Sequence, residues 1–175
     1  MDVNTMDQGL LTRNPSMTRE EFSEHWYTKH APLVIPMFLH LGVQHYQQTH
    51  GPFTLSPSPN PHLNIDLHSF DGIAALPSPS ALAASTAATP KWVQAYYDDV
   101  VKADERRFLV SEALEHIVRV PPGSVQGLVR VVIQEGRSLV QVPEEAWAVW
   151  REYEGRGREE EERERGMEGK KGNES

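Results

Sequence analysis

Residues Thr18 to Val34 read TREEFSEHWYTKHAPLV, and the fold can be built outward from them. Thr18 is followed three positions later by Glu21, a capping box in which side chain and backbone satisfy each other at a helix start. Met17 and Phe22 are spaced as a hydrophobic staple around that start. Glu20, Glu21 and Glu24 load the first half with negative charge, and Lys29 and His30 place positive charge at the other end, as the helix dipole prefers. Phe22, His25, Trp26 and Lys29 fall at i, i+3, i+4 and i+7, so His25 lies beside the buried side. Pro32 disfavours helical geometry at Ala31, which predicts a break near His30. A second segment, Leu33 to Leu41, follows, and Gly42 ends it.

Upstream, residues 1–8 are polar and read as a flexible N-terminus. Gly9 to Arg13 is a short opening strand, closed by the turn signal Asn14-Pro15-Ser16. Downstream, Val43 to His50 reads as a strand with polar residues on both faces. Val43, His45, Gln47 and Thr49 point one way; Gln44, Tyr46, Gln48 and His50 point the other. That pattern suits a face lining a polar cavity or a subunit contact. Gly51 to Pro61 is a loop, Leu63 to Leu76 holds a second strand, and Ser80 to Ala88 is Ala-rich with helical propensity. Pro90 to Ala103 reads as a helix with Trp92, Val93, Tyr96, Tyr97 and Val100 as its apolar side. Ala113 to Val120 reads as a strand, Val125 to Val142 as a hairpin, and Pro143 opens a last helix carrying Trp147, Trp150 and Tyr153. The charge-dense residues 155–175 read as a disordered tail or a frayed helix extension.

The order is β-α-β-β-α-β with a C-terminal hairpin and helix added. It predicts an α+β, ferredoxin-like sandwich over residues 9–154, with helices on one face of an antiparallel sheet. The other face would be bare in one chain, and pairing with a second copy is the expected cover.

Composition narrows the function. The chain has 175 residues, 38% hydrophobic and 24% charged, with a net charge of -8. That balance, with no basic stripe, argues against nucleic acid and anionic membrane as partners. There is no cysteine, so disulfides, thiolate metal sites and a Cys nucleophile are excluded. With no signal-peptide pattern and no apolar run of about 20 residues, a soluble cytoplasmic protein is expected. Phosphate-binding glycine loops, the Gly-x-Ser-x-Gly elbow and calcium loops are lacking. What remains is proton transfer and charge stabilisation without a cofactor.

Histidines suit that chemistry because they titrate near neutrality. His25 and His30 are five residues apart, roughly 140° around a regular helix that turns about 100° per residue. They cannot form the i, i+4 metal face, so no metal site is expected. The plainer readings are a core histidine for His25 and a helix-end cap for His30. His45, Tyr46 and His50 sit on the polar strand, whose plainer role is a wet subunit interface. Trp26, Trp92, Tyr96 and Tyr97 are core or pocket wall. Asp71 belongs most simply to an Asp-Gly bend, Asp104-Glu105 to a helix end, and His116 to a solvent-facing strand position.

The segment Arg13 to Val34, RNPSMTREEFSEHWYTKHAPLV, resembles the signature of the EthD domain family. The likeness runs through Arg13, Pro15, Met17, Thr18, Glu21, Phe22, His25, Trp26, His30, Ala31, Pro32 and Leu33. Ser16 stands where Gly is commoner, and the opening strand is shorter and less apolar than usual. A looser likeness continues through Phe70 to Ala74 and Ala103 to Phe108. The resemblance implies a homodimeric α/β barrel in which each subunit encloses a cavity. It is nearest to a fungal polyketide-tailoring branch described as decarboxylating anthraquinone precursors such as atrochrysone carboxylic acid. The expected function is therefore cofactor-independent decarboxylation of an aromatic polyketide β-keto acid in secondary metabolism. The alternatives are an EthD-like oxidoreductase of the anthrone monooxygenase type and a non-catalytic polyketide-binding protein. On this reading His30, His45 and Tyr46 are the catalytic candidates, and His25, Trp26, His50 and Tyr96 contact the substrate.

Overall fold

A computed structural model describes residues 6–57, 64–77 and 89–171. The Ala-rich segment 80–88, parts of the loop 51–61 and the first residues of the N-terminus lie outside them. Helix α1, Arg19–His25, starts as its sequence dictates. The Thr18 hydroxyl accepts from the Glu21 N–H, and the Glu21 carboxylate accepts from the Thr18 N–H. Phe22 is fully buried, and Met17 packs against its cluster, completing the staple.

The expected break near His30 is not a break. Residues Trp26–His30 form a π turn, and α2, Ala31–His40, continues from it. Pro32 falls in the first turn of α2, where its missing N–H costs little. The Ala31 N–H bonds the carbonyl five residues back, on Trp26. A second π turn, Tyr97–Val101, joins α3, Lys91–Tyr96, to α4, Lys102–Phe108. Such one-turn insertions re-aim the side chains on either side of them.

The sheet has six antiparallel strands: β1 Met6–Leu11, β2 His45–Leu55, β3 Gly72–Pro77, β4 Val118–Val120, β5 Val125–Gln134 and β6 Arg137–Ser138. Their order is β4-β1-β3-β2-β5-β6. The first four positions give the ferredoxin-like order, and the C-terminal hairpin extends the β2 edge. That hairpin turns at Glu135-Gly136, both with positive φ, a conformation suited to tight hairpins. Ala113–His116 is a short helix, α5, so the third predicted strand shrinks to β4.

Helices α1 to α4 cover one sheet face. Gly72 permits the closest approach: a Cβ there would stand 2.6 Å from the Trp26 ring. The opposite face is not bare at its centre. Leu10, Phe53, Ile73, Val120 and Val125 form a cluster there, with Ile65, Leu67 and Phe70 folded onto it.

The last helix, α6, runs Glu144–Lys171, through the region expected to be loose. Its first half docks by Trp150 and Tyr153 against Tyr96, with Trp92 also on Trp150. Gly157 lets Trp92 lie on the helix backbone. Beyond that, i, i+4 pairs such as Arg158–Glu154 and Arg163–Glu159 line the helix, each worth a few tenths of a kcal/mol.

Candidate active site

Between the helix layer and the sheet lies a cavity of about 250 Å³. Its walls are mostly apolar, from Trp26, Val34, Met37, Phe38, Phe108 and Leu109. The polar side chains that reach it are His30, Tyr46, Tyr97 and Glu105. Leu114, on α5, lines the cavity and is 68% exposed, which places a mouth beside that helix.

His30 is buried, and its Nδ1 lies 2.9 Å from Asp104 Oδ2. His25 reaches the other oxygen of the same carboxylate, Nε2 to Oδ1, at 3.0 Å. A regular helix would keep these two rings apart. The π turn between them, with its five-residue repeat, brings them to one side. Phe108 packs against both imidazoles, with ring centroids 5.0 and 4.8 Å away. Burial pushes the Asp104 carboxyl up, but the hydrogen bonds from His25 and His30 outweigh it and hold Asp104 well below the usual carboxylate range. An ionised Asp104 accepts only, so each histidine donates to it. That fixes the tautomer of neutral His30: Nδ1 carries the hydrogen, and Nε2 keeps its lone pair. His30 Nε2 has no hydrogen-bond partner among the described residues, and it is the nitrogen left for the cavity.

Tyr46 also lines the cavity. Gln48 donates to its hydroxyl at 3.2 Å and to the Trp26 carbonyl at 3.1 Å. Burial, opposed by those polar contacts, drives the Tyr46 phenol well above its ordinary value. The Tyr97 phenol is pushed up to about 12, first by burial. Both stay neutral donors near neutral pH.

The other candidates sit elsewhere. His45 is turned from the cavity and bonds Gln47 at 3.2 Å. His50 faces the helices, but both its nitrogens are occupied, by the Ser23 hydroxyl at 2.8 Å and the Gln48 side-chain oxygen at 3.2 Å. Burial lowers its pKa to about 4. Tyr96 is fully buried under α6 and donates to the Leu33 carbonyl at 2.8 Å, away from the cavity. Trp26 does line the cavity, and His25 stands behind it, reaching it only through Asp104. His116 is half-buried rather than solvent-facing, accepting from the Thr12 N–H at 3.2 Å.

Asp104 and Glu105, expected only to end a helix, enter the site instead. A signal existed. Val101, Asp104, Glu105 and Phe108 share i, i+3, i+4, i+7 spacing, so two carboxylates lie on an apolar stripe. Among the described residues no three His, Asp or Glu side chains converge as a metal-ligand set.

Fold and site together define a ferredoxin-like α+β protein with an aspartate-held histidine opening on an apolar cavity. The model of the EthD domain matches residues 14–112, more than half of the chain, and the protein belongs to that family. The comparisons with curated proteins and with solved structures gave no match. Among the described residues no helix is long and apolar enough to cross a membrane.

Proposed function

We propose that this protein is a cofactor-independent decarboxylase acting on a β-keto acid of aromatic polyketide metabolism, with atrochrysone carboxylic acid as the type of substrate. The observation that carries the reading is His30: buried, fixed through Nδ1 by Asp104, and left with Nε2 for an apolar cavity. Ligand pockets commonly measure about 300–1,000 Å³, so a volume near 250 Å³ favours a compact fused-ring ligand over an extended one.

The reaction asks little beyond that geometry. The bond to the carboxylate carbon breaks, CO2 leaves, and the electron pair passes to the neighbouring carbonyl as an enolate. No electrons go to an external acceptor. One proton is consumed, and protonated His30 delivers it from Nε2, leaving the neutral ring with Nδ1–H toward Asp104. Apolar walls disfavour the charged carboxylate and favour neutral CO2. Trp26 and Phe108 stack on the rings, and Tyr46 and Tyr97 orient phenolic oxygens. His25 acts through Asp104, and His45, His50 and Tyr96 take no part. The family resemblance makes the working unit a homodimer, which light scattering checks.

The test is product mass after incubating the purified protein with such an acid and no added cofactor. Loss of CO2 supports the proposal, and His30→Ala should lower turnover by about 100-fold or more. Gain of oxygen would move the protein to the monooxygenase reading. Tight binding without turnover would make it a polyketide carrier.

A further inference from the structure

Glu105 directly follows Asp104 on α4, yet the two carboxyls live in different surroundings. Asp104 turns to the histidines. Glu105, only 4% exposed, turns into the cavity wall. Its Oε2 accepts from the Ala113 N–H at 2.9 Å and so ties α5 to α4. Its Oε1 has no partner among the described residues. A purely structural tie needs one oxygen; the second is left for whatever enters.

We propose that Glu105 is a second catalytic residue of this site, a neutral carboxylic acid that donates from Oε1 to the substrate carbonyl oxygen on which enolate charge develops. The inference rests on the decarboxylase reading for its reaction, but not for its hydrogen bond. The groups around Glu105 decide its protonation. Lys102 is directed to Asp98 and Glu112, and among the described residues no cationic side chain forms an ion pair with Glu105. His30, Tyr46 and Tyr97 share the cavity with it, and Glu112 is a nearby like charge. Burial, the dominant influence, moves its carboxyl above the ordinary value, against the Ala113 N–H and the positive charges of His30 and Lys102. Asp104, with two donors, moves the other way. Adjacent carboxyls driven apart in this fashion mark an acid and a charge-holder in one site.

The step balances. As the bond to CO2 breaks, the electron pair reaches the carbonyl oxygen, which takes the Oε1 proton and becomes an enol. The enol carbon then takes the His30 Nε2 proton, the enol O–H returns to Oε1, and solvent reprotonates His30. A ketone oxygen placed at Oε1 accepts the Glu105 proton as charge develops on it, so the substrate class is a keto acid bound with its ketone at Glu105.

The probe is 9-fluorenone, a neutral aryl ketone without a carboxylate, read by infrared difference spectroscopy of its C=O band on the full chain. Wild type should shift the bound band to lower frequency, and the shift should fade as rising pH ionises Glu105. Glu105→Gln retains an oxygen for the Ala113 N–H and an N–H donor, so a smaller, pH-independent shift is expected. Glu105→Ala should show none, with kcat on the keto acid down about 100-fold. An identical band in wild type and both variants, a shift independent of pH in wild type, or no fluorenone binding at all would overturn the proposal, whatever the turnover assay gives. A Glu105-dependent shift without release of CO2 from any keto acid would uphold this role and sink the decarboxylase reading instead.

Discussion

Asp71 and Asp104 are buried alike, at 4% and 5% exposure, and each is gripped by two basic side chains. At Asp71 the partners are arginines. Arg19 Nε donates to Oδ1 at 2.9 Å, the Arg13 backbone N–H donates to Oδ2 at 3.2 Å, and the Arg13 guanidinium Nε stands 3.3 Å from Oδ1. The Arg13 guanidinium also bonds the Met17 carbonyl, so the start of α1 is locked to the start of β3. At Asp104 the partners are histidines, and one of them opens on a cavity. Arginine stays charged at every working pH, so the first cluster is a permanent clasp. Histidine gains and loses its proton near neutrality, so the second cluster can do chemistry. The same arrangement of one aspartate and two bases thus serves stability in one place and, in the function proposed above, proton transfer in the other. The choice of base decides which.

Paired substitutions test that contrast, and the largest effect is expected at the histidine cluster. Asp104→Asn retains volume and hydrogen bonding but lets His30 adopt the wrong tautomer. Turnover should fall by about 10²–10⁴-fold, with circular dichroism unchanged. Full activity in this variant would reduce Asp104 to another clasp. Asp71→Asn should do the reverse: turnover holds, while unfolding in urea shows a loss of about 2 kcal/mol. That figure stays modest because both guanidinium-bearing side chains are about one-third exposed. A turnover defect at Asp71 that outlasts correction for the unfolded fraction would erase the distinction.

The smallest effect is a matter of pH. His50 has its pKa lowered to about 4 from 6.5, so between those values the unfolded chain binds the proton more readily than the folded one. Stability should therefore fall as pH drops through that window, by no more than about 1.4 kcal/mol per unit. Asp104 has the opposite charge and the usual carboxylate sign. Its contribution is present above 3.8 and is lost as pH falls toward its depressed folded value. Acid unfolding should thus show two stages, and His50→Gln should remove only the upper one.

The short-range features were legible in the sequence. The capping box at Thr18 and Glu21, the hairpin through Gly136 and the βαββαβ order all rest on neighbours within a few positions. The errors lie where a residue's role depends on a distant partner. Pro32 correctly signals irregular geometry, but whether the chain breaks or absorbs it in a π turn depends on packing. Ala113 to His116 alternates like a strand, yet Glu105 caps it into a helix from eight residues away. The charged tail continues as helix because Trp92, Trp150 and Tyr153 anchor the turns before it.

The sequence by itself determined the start of α1, the class of fold, the EthD signature and the place of His25 beside the buried side of α1, with His30 read as a helix-end cap. These follow from hydrogen bonds and periodicities a few residues long. Only the tertiary structure decided what His30 does. A π turn rotates it beside His25, Asp104 arrives from a helix 74 residues away, and the sheet closes a cavity against the remaining nitrogen. Burial raises both of two adjacent carboxyls, and the hydrogen bonds from His25 and His30 bring Asp104 back below its ordinary value while Glu105 stays above it. Charge and solvation depend on everything within a few ångströms, and that neighbourhood is assembled from residues far apart in the chain.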